Sequence, residues 1–219
     1  MGEVITFATG HGSTTGYLAL PASGNGPGLL VLHAWWGLKP FFTLLCDRLA
    51  QEGFVVFAPD LNEGQIAQTV EQAQALMDAR DNHRTASAVF GGLNALRAHT
   101  AVDATAISVI GFSMGAAWAL ELAQSQPELI DATVLFYGSY GVDFNKTRAR
   151  FQGHFAEVDE WEPLENVQQM QAAMRAAGRS VDLHIYPGVG HWFVEEDRPE
   201  YNAPAADLAW QRMLAFLKS

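Results

Sequence analysis

Apolar residues recur along the chain in two alternating rhythms. Short β-rich runs occupy Val4 to Ala8, Gly16 to Leu20, Leu29 to His33, Phe54 to Ala58, Ala106 to Gly111, Thr133 to Tyr137 and Val181 to Tyr186. Between and after them come stretches with helical spacing. Ala86, Val89, Phe90, Leu93 and Leu96 share one face, as do Leu164, Val167, Met170 and Met174, and Ala206, Ala209, Trp210, Met213 and Leu217 share another. Alternation of this kind predicts an α/β fold with a largely parallel sheet covered by helices on both faces. Pro163 and Pro204 open the last two helices, and Gly178 supplies a left-handed stop. Gly10-His11-Gly12 is a hairpin turn rather than a phosphate loop, because a strand and no helix follows it.

Length and composition narrow the reading. At 219 residues, 49% hydrophobic and 17% charged, the chain suits one compact domain spanning residues 1–219, with no repeat or linker dividing it. Thirteen basic residues against 24 acidic ones leave a net charge of −11, which disfavours nucleic acid and anionic membrane as partners and favours small-molecule chemistry. Cys46 is the only cysteine, in an apolar helical stretch, and reads as a small buried hydrophobe. Met1 to Thr6 lacks the basic and apolar segments of a secretory signal. No run of about 18 apolar residues occurs, so a soluble cytoplasmic protein is expected.

The chemistry concentrates in one motif. Ile107 to Ile110 leads into Gly111-Phe112-Ser113-Met114-Gly115 and then the helical run Ala116 to Leu122, which is G-x-S-x-G in a strand–turn–helix setting. So tight a turn presents the Ser113 hydroxyl above the sheet, with small residues two before and two after it. It also sets the N–H of Met114 at a helix N-terminus, where it can stabilise an oxyanion. A serine hydroxyl needs a base, commonly a histidine held by a carboxylate. His191, in the loop Tyr186-Pro187-Gly188-Val189-Gly190-His191, is the candidate. His11, His83, His99, His154 and His184 lie in turns, helices or strands away from such a loop. His33 precedes Ala34-Trp35-Trp36-Gly37 and has two readings, organiser of an oxyanion loop or purely structural. The acid belongs between serine and histidine, where Glu157, Asp159, Glu160 and Glu162 compete. Asp159 is preferred, Glu157 comes second, and Glu160 and Glu162 suit the N-terminus of the next helix.

These residues together resemble the dienelactone hydrolase family of α/β-hydrolases, which has no large lid domain. The likeness covers nearly the whole chain through His33-Ala34-Trp35-Trp36-Gly37, Pro59-Asp60-Leu61, Gly111 to Gly115, Tyr186-Pro187-Gly188, Gly190-His191, Arg198-Pro199 and Trp210-Gln211-Arg212. The resemblance implies hydrolysis of small-molecule esters or lactones through an acyl-enzyme, without cofactor or metal. It assigns the N–H groups of Trp35 and Met114 to the oxyanion hole. The chain departs from dienelactone hydrolases proper in three ways. Ser113 stands in place of a cysteine nucleophile, and Ala34 in place of a glutamate. No arginine follows the histidine in Trp192-Phe193-Val194-Glu195-Glu196. Trp36, Trp161 and Trp192, with Trp35 and Tyr140, are expected to line an acyl or leaving-group pocket. Rival readings are a thioesterase, a peptidase-like hydrolase, or a non-catalytic ligand-binding homologue, which a disrupted triad would mark. A monomer or a homodimer is compatible with the sequence.

Overall fold

The computed structural model describes residues 1–219, which form two compact units, Met1–Val109 and Ile110–Ser219.

In the first unit β1 (Glu3–Thr9) and β2 (Gly12–Ala19) form an antiparallel hairpin in which Thr9 faces Gly12. β2 pairs antiparallel with β4 (Val55–Pro59), which pairs parallel with β3 (Gly28–Leu32). Every residue of β3 and β4 is buried, whereas β1 buries only Phe7 and leaves its other positions exposed or part-buried. The continuous apolar runs are thus inner strands, and the patterned run is an edge. Helix α1 (Pro40–Gln51) packs on β2 and β4, and α3 (Asn82–Ala98) on β1, β3 and β4. Between them lies α2 (Val70–Asp78), capped by the Thr69 hydroxyl, which accepts from the Gln72 N–H. Cys46 is fully buried on α1, and that burial pushes its thiol pKa far up, so it remains an inert packing group.

β5 (Ile107–Phe112) carries the boundary between the units. Beyond it run β6 (Ile130–Phe136), β7 (Arg150–Ala156) and β8 (Val181–Tyr186), the last three parallel and adjacent in that order. Helix α4 (Met114–Ser125) packs on β6, α5 (Leu164–Ala176) on β8, and α6 (Ala203–Leu217) on β7. Of the stripes read from the sequence, Val89, Leu93 and Leu96 on α3, Val167, Met170 and Met174 on α5, and Ala209, Met213 and Leu217 on α6 are buried, while Ala86, Phe90, Leu164, Ala206 and Trp210 are part-buried. Gly178 ends α5 in the left-handed conformation, with φ of +70°. Pro163 is the cap before α5 rather than its first residue, and on α6 it is Asn202 that caps, accepting from the Ala205 N–H.

The bounds of β1 to β6 differ from the hydrophobic pattern, mostly by one residue and by more at the starts of β2 and β6. β2 starts at Gly12 rather than Gly16, because Ser13 to Thr15 are polar yet bonded in register to Thr6 to Ala8. β6 ends at Phe136 rather than Tyr137, because Tyr137 has a positive φ of 38° and leaves the extended conformation. No helix is long and apolar enough to cross a membrane.

Candidate active site

Ser113 sits between the end of β5 and the first residue of α4, with φ of 51° and ψ of −113°. For a residue with a β-carbon this is a sparsely populated conformation costing about 1–3 kcal/mol, so the surroundings must impose it. The Ser113 N–H donates to the Phe136 carbonyl at 2.9 Å, tying the turn to the end of β6, and the Ser113 carbonyl accepts from the Ala116 N–H at 2.9 Å. Strand and helix approach so closely that a β-carbon on Gly111 would lie 2.6 Å from the Ala116 Cα. One on Gly138 would lie 2.5 Å from the Ser113 carbonyl oxygen. The motif's glycine is therefore a steric requirement of the elbow.

His191 and Asp159 reach the serine from the ends of two neighbouring strands. The acid loop follows β7 and the histidine loop follows β8. The two loops are laced together where the Val158 N–H donates to the Val189 carbonyl (3.1 Å) and the Gly188 N–H to the Glu157 carboxylate (2.9 Å). His191 Nδ1 lies 2.7 Å from Asp159 Oδ2, and His191 Nε2 lies 3.1 Å from Ser113 Oγ. A carboxylate only accepts, so Nδ1 carries the hydrogen and Nε2 is left to accept the serine proton. The other Asp159 oxygen accepts the N–H groups of Trp161 and Glu162, each at 2.9 Å. Both side chains are shielded, with His191 4% and Asp159 1% exposed. Glu157 is exposed and engages the Gly188 backbone, so the imidazole is served by Asp159. Glu162 is not a helix-end charge as expected. It is buried, and its two oxygens accept from the Ser139 N–H (2.6 Å) and hydroxyl (2.8 Å), which clamps the loop after β6 to the loop after β7.

Aromatic rings surround the imidazole. Trp192 stands perpendicular to His191 with ring centroids 4.9 Å apart, and Tyr137 lies 4.7 Å away at 55°. Trp161 contacts Trp192 at 5.8 Å and is 47% exposed. Tyr140, next to the clamped Ser139, is also exposed. Trp192 is buried and left-handed (φ 62°), with the Arg198 guanidinium 4.8 Å over its ring. In the first unit Trp35 and Trp36 are buried edge to face at 5.5 Å. Their loop is held by Asn62 Nδ2 donating to the Trp35 carbonyl (3.0 Å) and the Ala67 N–H donating to that of Trp36 (2.9 Å). His33 stands behind that loop, fully buried. Its Nδ1–H donates to the Ala34 carbonyl (2.7 Å) and its Nε2 accepts the Leu61 N–H (2.9 Å). Burial lowers its pKa, and with both nitrogens engaged it is a structural brace.

Ser113, His191 and Asp159 thus converge, with Trp192 and Trp161 beside them. Met114 is the first residue of α4. Trp36, 1% exposed, belongs to the core of the first unit. Sequence reasoning passed over Tyr137, Glu195, Ser139 and the Glu162 clamp. Glu195 is wholly buried and accepts the Tyr137 hydroxyl at 2.6 Å. The one available signal was its place beside Trp192, Phe193 and Val194. No group of three or more His, Cys, Asp or Glu side chains is arranged to hold a metal ion.

Comparison with known proteins places this geometry in context. Residues 14–219 match the model of the dienelactone hydrolase family. The chain is 34% identical to Protein usf of Aquifex pyrophilus, covering 100% of this chain and 98% of that one. It is 31% identical to a protein of Aquifex aeolicus named "Putative carboxymethylenebutenolidase", covering 100% and 99%. A dienelactone hydrolase-like promiscuous phosphotriesterase from metagenomic libraries superposes with a TM-score of 0.88 over 100% of this chain and 97% of that one. At 20% identity that likeness shows the α/β-hydrolase fold alone.

Proposed function

This chain belongs to the dienelactone hydrolase family, and on that premise we propose that it is a serine hydrolase that opens carboxylic ester or lactone bonds of small molecules through an acyl-enzyme on Ser113. The observation that carries the reading is the hydrogen-bonded line from Ser113 Oγ to His191 Nε2 (3.1 Å) and from His191 Nδ1 to Asp159 Oδ2 (2.7 Å). Ser113 Oγ attacks the carbonyl carbon while its proton passes to Nε2. The imidazolium so formed is stabilised by Asp159, then protonates the leaving alkoxide. Water, deprotonated by the same nitrogen, attacks the acyl carbon and releases Ser113. Met114, opening α4, is assigned as an oxyanion donor through its backbone N–H, since charge is favoured at a helix N-terminus. Trp35 is the second donor by family resemblance alone. Trp161, Trp192 and Tyr140 are assigned to the wall that receives the apolar part of the substrate, for which the exposed faces of Trp161 and Tyr140 give the best support, whereas the burial of Trp36 in the core of the first unit removes it from that role.

The family match runs through both units, which supports a single catalytic domain. The net charge of −11 supports a small-molecule substrate over nucleic acid, and a cytoplasmic monomer or homodimer completes the reading. Labelling with a serine-directed fluorophosphonate, followed by peptide mapping, tests the nucleophile. A panel of matched esters, lactones, thioesters and amides tests the class. Modification confined to Ser113 with turnover of esters or lactones is the expected result, and amide or thioester turnover above that of the matched ester would overturn it.

A further inference from the structure

The catalytic steps above leave one buried carboxylate without a task. Glu195 lies four residues beyond His191, has no exposed surface, and accepts the Tyr137 hydroxyl at 2.6 Å. We propose that Glu195, acting through Tyr137, is a positioning residue that fixes the His191 imidazole for proton transfer. The inference rests on the assignment of His191 as the base of Ser113.

The hydrogen bonds of Nδ1–H to Asp159 and of Nε2 with Ser113 Oγ hold two corners of the imidazole but leave the ring to pivot about the line between them. Ring contacts against it must stop the pivot. Those contacts are Trp192 and Tyr137, at 4.9 and 4.7 Å between centroids. Both occupy left-handed backbone (φ 62° and 38°), a conformation that residues with bulky side chains adopt only when the surroundings impose it. Tyr137 is held at its backbone by the N–H it donates to the His154 carbonyl (2.9 Å), and at its far end by Glu195. Glu195 is in turn built into the histidine loop. Its N–H donates to the Trp192 carbonyl (2.8 Å), its carbonyl accepts the Arg198 N–H (2.9 Å), and the Asn202 N–H donates to the Phe193 carbonyl (2.9 Å). The path from His191 through Glu195 to Tyr137 therefore closes back on the imidazole.

The choice of a carboxylate at a fully buried position is informative. Leucine would pack there without desolvation cost, but it would leave the phenol without an acceptor and its ring free to tilt. A carboxyl oxygen that accepts the phenol makes a short, directional bond that holds the ring in one orientation. The phenol remains the donor, because burial foremost, and then the charge of Glu195, raise its pKa well above the ordinary range, with Asp197 and Asp159 adding to the effect. Misplacement of a reacting group by about 1 Å costs on the order of 100-fold in rate. The bracing therefore acts on the Oγ–Nε2 geometry rather than on substrate binding.

The experiment compares wild type with Glu195→Leu, Glu195→Gln and Tyr137→Phe. It measures kcat and KM on one neutral ester, the rate of Ser113 phosphonylation, and the low-field proton resonance of His191 Nδ1–H. Glu195→Leu and Tyr137→Phe are expected to lower kcat and phosphonylation together by roughly 10- to 100-fold with KM within about twofold, and to shift or broaden the resonance. Glu195→Gln keeps an acceptor oxygen and should recover most of the loss. Should Glu195→Leu not fold, Tyr137→Phe with Glu195→Gln carries the test. Wild-type kcat and an unmoved resonance in folded Tyr137→Phe would overturn the proposal, as would a glutamine variant no better than leucine. Absence of Ser113 labelling in the wild type would instead overturn the nucleophile assignment itself.

Discussion

Ser113 holds its strained backbone whether or not its hydroxyl is present, because the strain is imposed by the Phe136 carbonyl and the two flanking chain segments. Ser113→Ala is therefore expected to fold normally and to lose several orders of magnitude in ester turnover, as is His191→Ala. The two act as a unit, so the double variant should fall little further and keep roughly 10³- to 10⁴-fold over the uncatalysed rate. Full activity in folded Ser113→Ala would falsify the mechanism. Asp159→Asn should cost about 10⁴-fold, since an amide nitrogen in the place of Oδ2 would donate to Nδ1 and leave the imidazole in the wrong tautomer. Glu157→Gln should cost little, because its carboxylate contacts the Gly188 N–H and not the imidazole. A reversal of those two effects would move the acid to Glu157. At this scale the sequence was legible where a residue's role follows from its local chain. Ser113 is marked by strand, turn and helix together. The choice between Asp159 and Glu157 depends on which side chain turns inward at the end of β7, and spacing carries no such information. For Glu195 the only local signal is the apolar run Trp192 to Val194 before it, and it is the approach of Tyr137, 58 positions away, that gives it a buried partner.

Strands and helices were read well wherever burial creates periodicity, and poorly where it does not. Val181–Tyr186 was recovered to the residue, and the three helical stripes mark the buried faces. By contrast, α2 buries only Ala73, so no stripe announced it, and its signal lay in the Thr69 cap. Two predictions belong to elements. Gly111→Ala should destabilise the elbow by about 1–3 kcal/mol through overpacking of β5 against α4. Thermal unfolding would read that as a lowered midpoint, with phosphonylation of Ser113 slowed as well, and an unchanged midpoint would remove the steric argument. The second concerns His154 on β7. Its Nε2–H donates to Gln152 Oε1 (3.0 Å) and its Nδ1 accepts the Tyr186 hydroxyl from β8 (2.8 Å), so the neutral ring is the one the fold accommodates. Burial first, then His184 and Arg212, pushes its pKa well below the usual imidazole value, and burial lowers that of His33 too. As pH falls below about 6.5 the unfolded chain takes up these protons first. Stability conferred by the neutral rings is therefore present above that pH and is lost as pH drops toward the folded values, by at most about 1.4 kcal/mol per pH unit for each ring. Urea unfolding between pH 7.5 and 5.5 should show that decline, and His154→Gln should reduce its slope. A slope unaltered by the substitution would show that His154 is not among the groups responsible.

For the molecule as a whole, the question is which substrate an enzyme of net charge −11 accepts. A carboxylate buried beside the triad would need a paired cation, because leaving it unpaired costs several kcal/mol. The histidine loop offers no base before Arg198, and that guanidinium is engaged, stacked over Trp192 at 4.8 Å with Nε 3.5 Å from Glu200. The position four residues after His191 is Glu195, which is turned inward to Tyr137. An aryl or alkyl group laid against the exposed faces of Trp161 and Tyr140, by contrast, gains roughly 25 cal/mol for each Å² of apolar surface removed from water. Neutral aryl or short alkyl esters are therefore expected to show higher kcat/KM than matched substrates carrying a carboxylate, dienelactone included. The comparison is best made pairwise at fixed pH and at two ionic strengths. Long-range repulsion from the net charge is screened over about 10 Å at 0.1 M salt, so any part of the discrimination due to it should shrink as salt rises, while the part due to a missing cation should persist. Preference for the carboxylated partner at both ionic strengths would defeat the argument and require an arginine brought to the substrate. Arg198 would then be the first to replace, followed by Arg80 and Arg84, which line a cavity of about 490 Å³ in the first unit and, for Arg84, already pair with Glu63 at 2.7 Å.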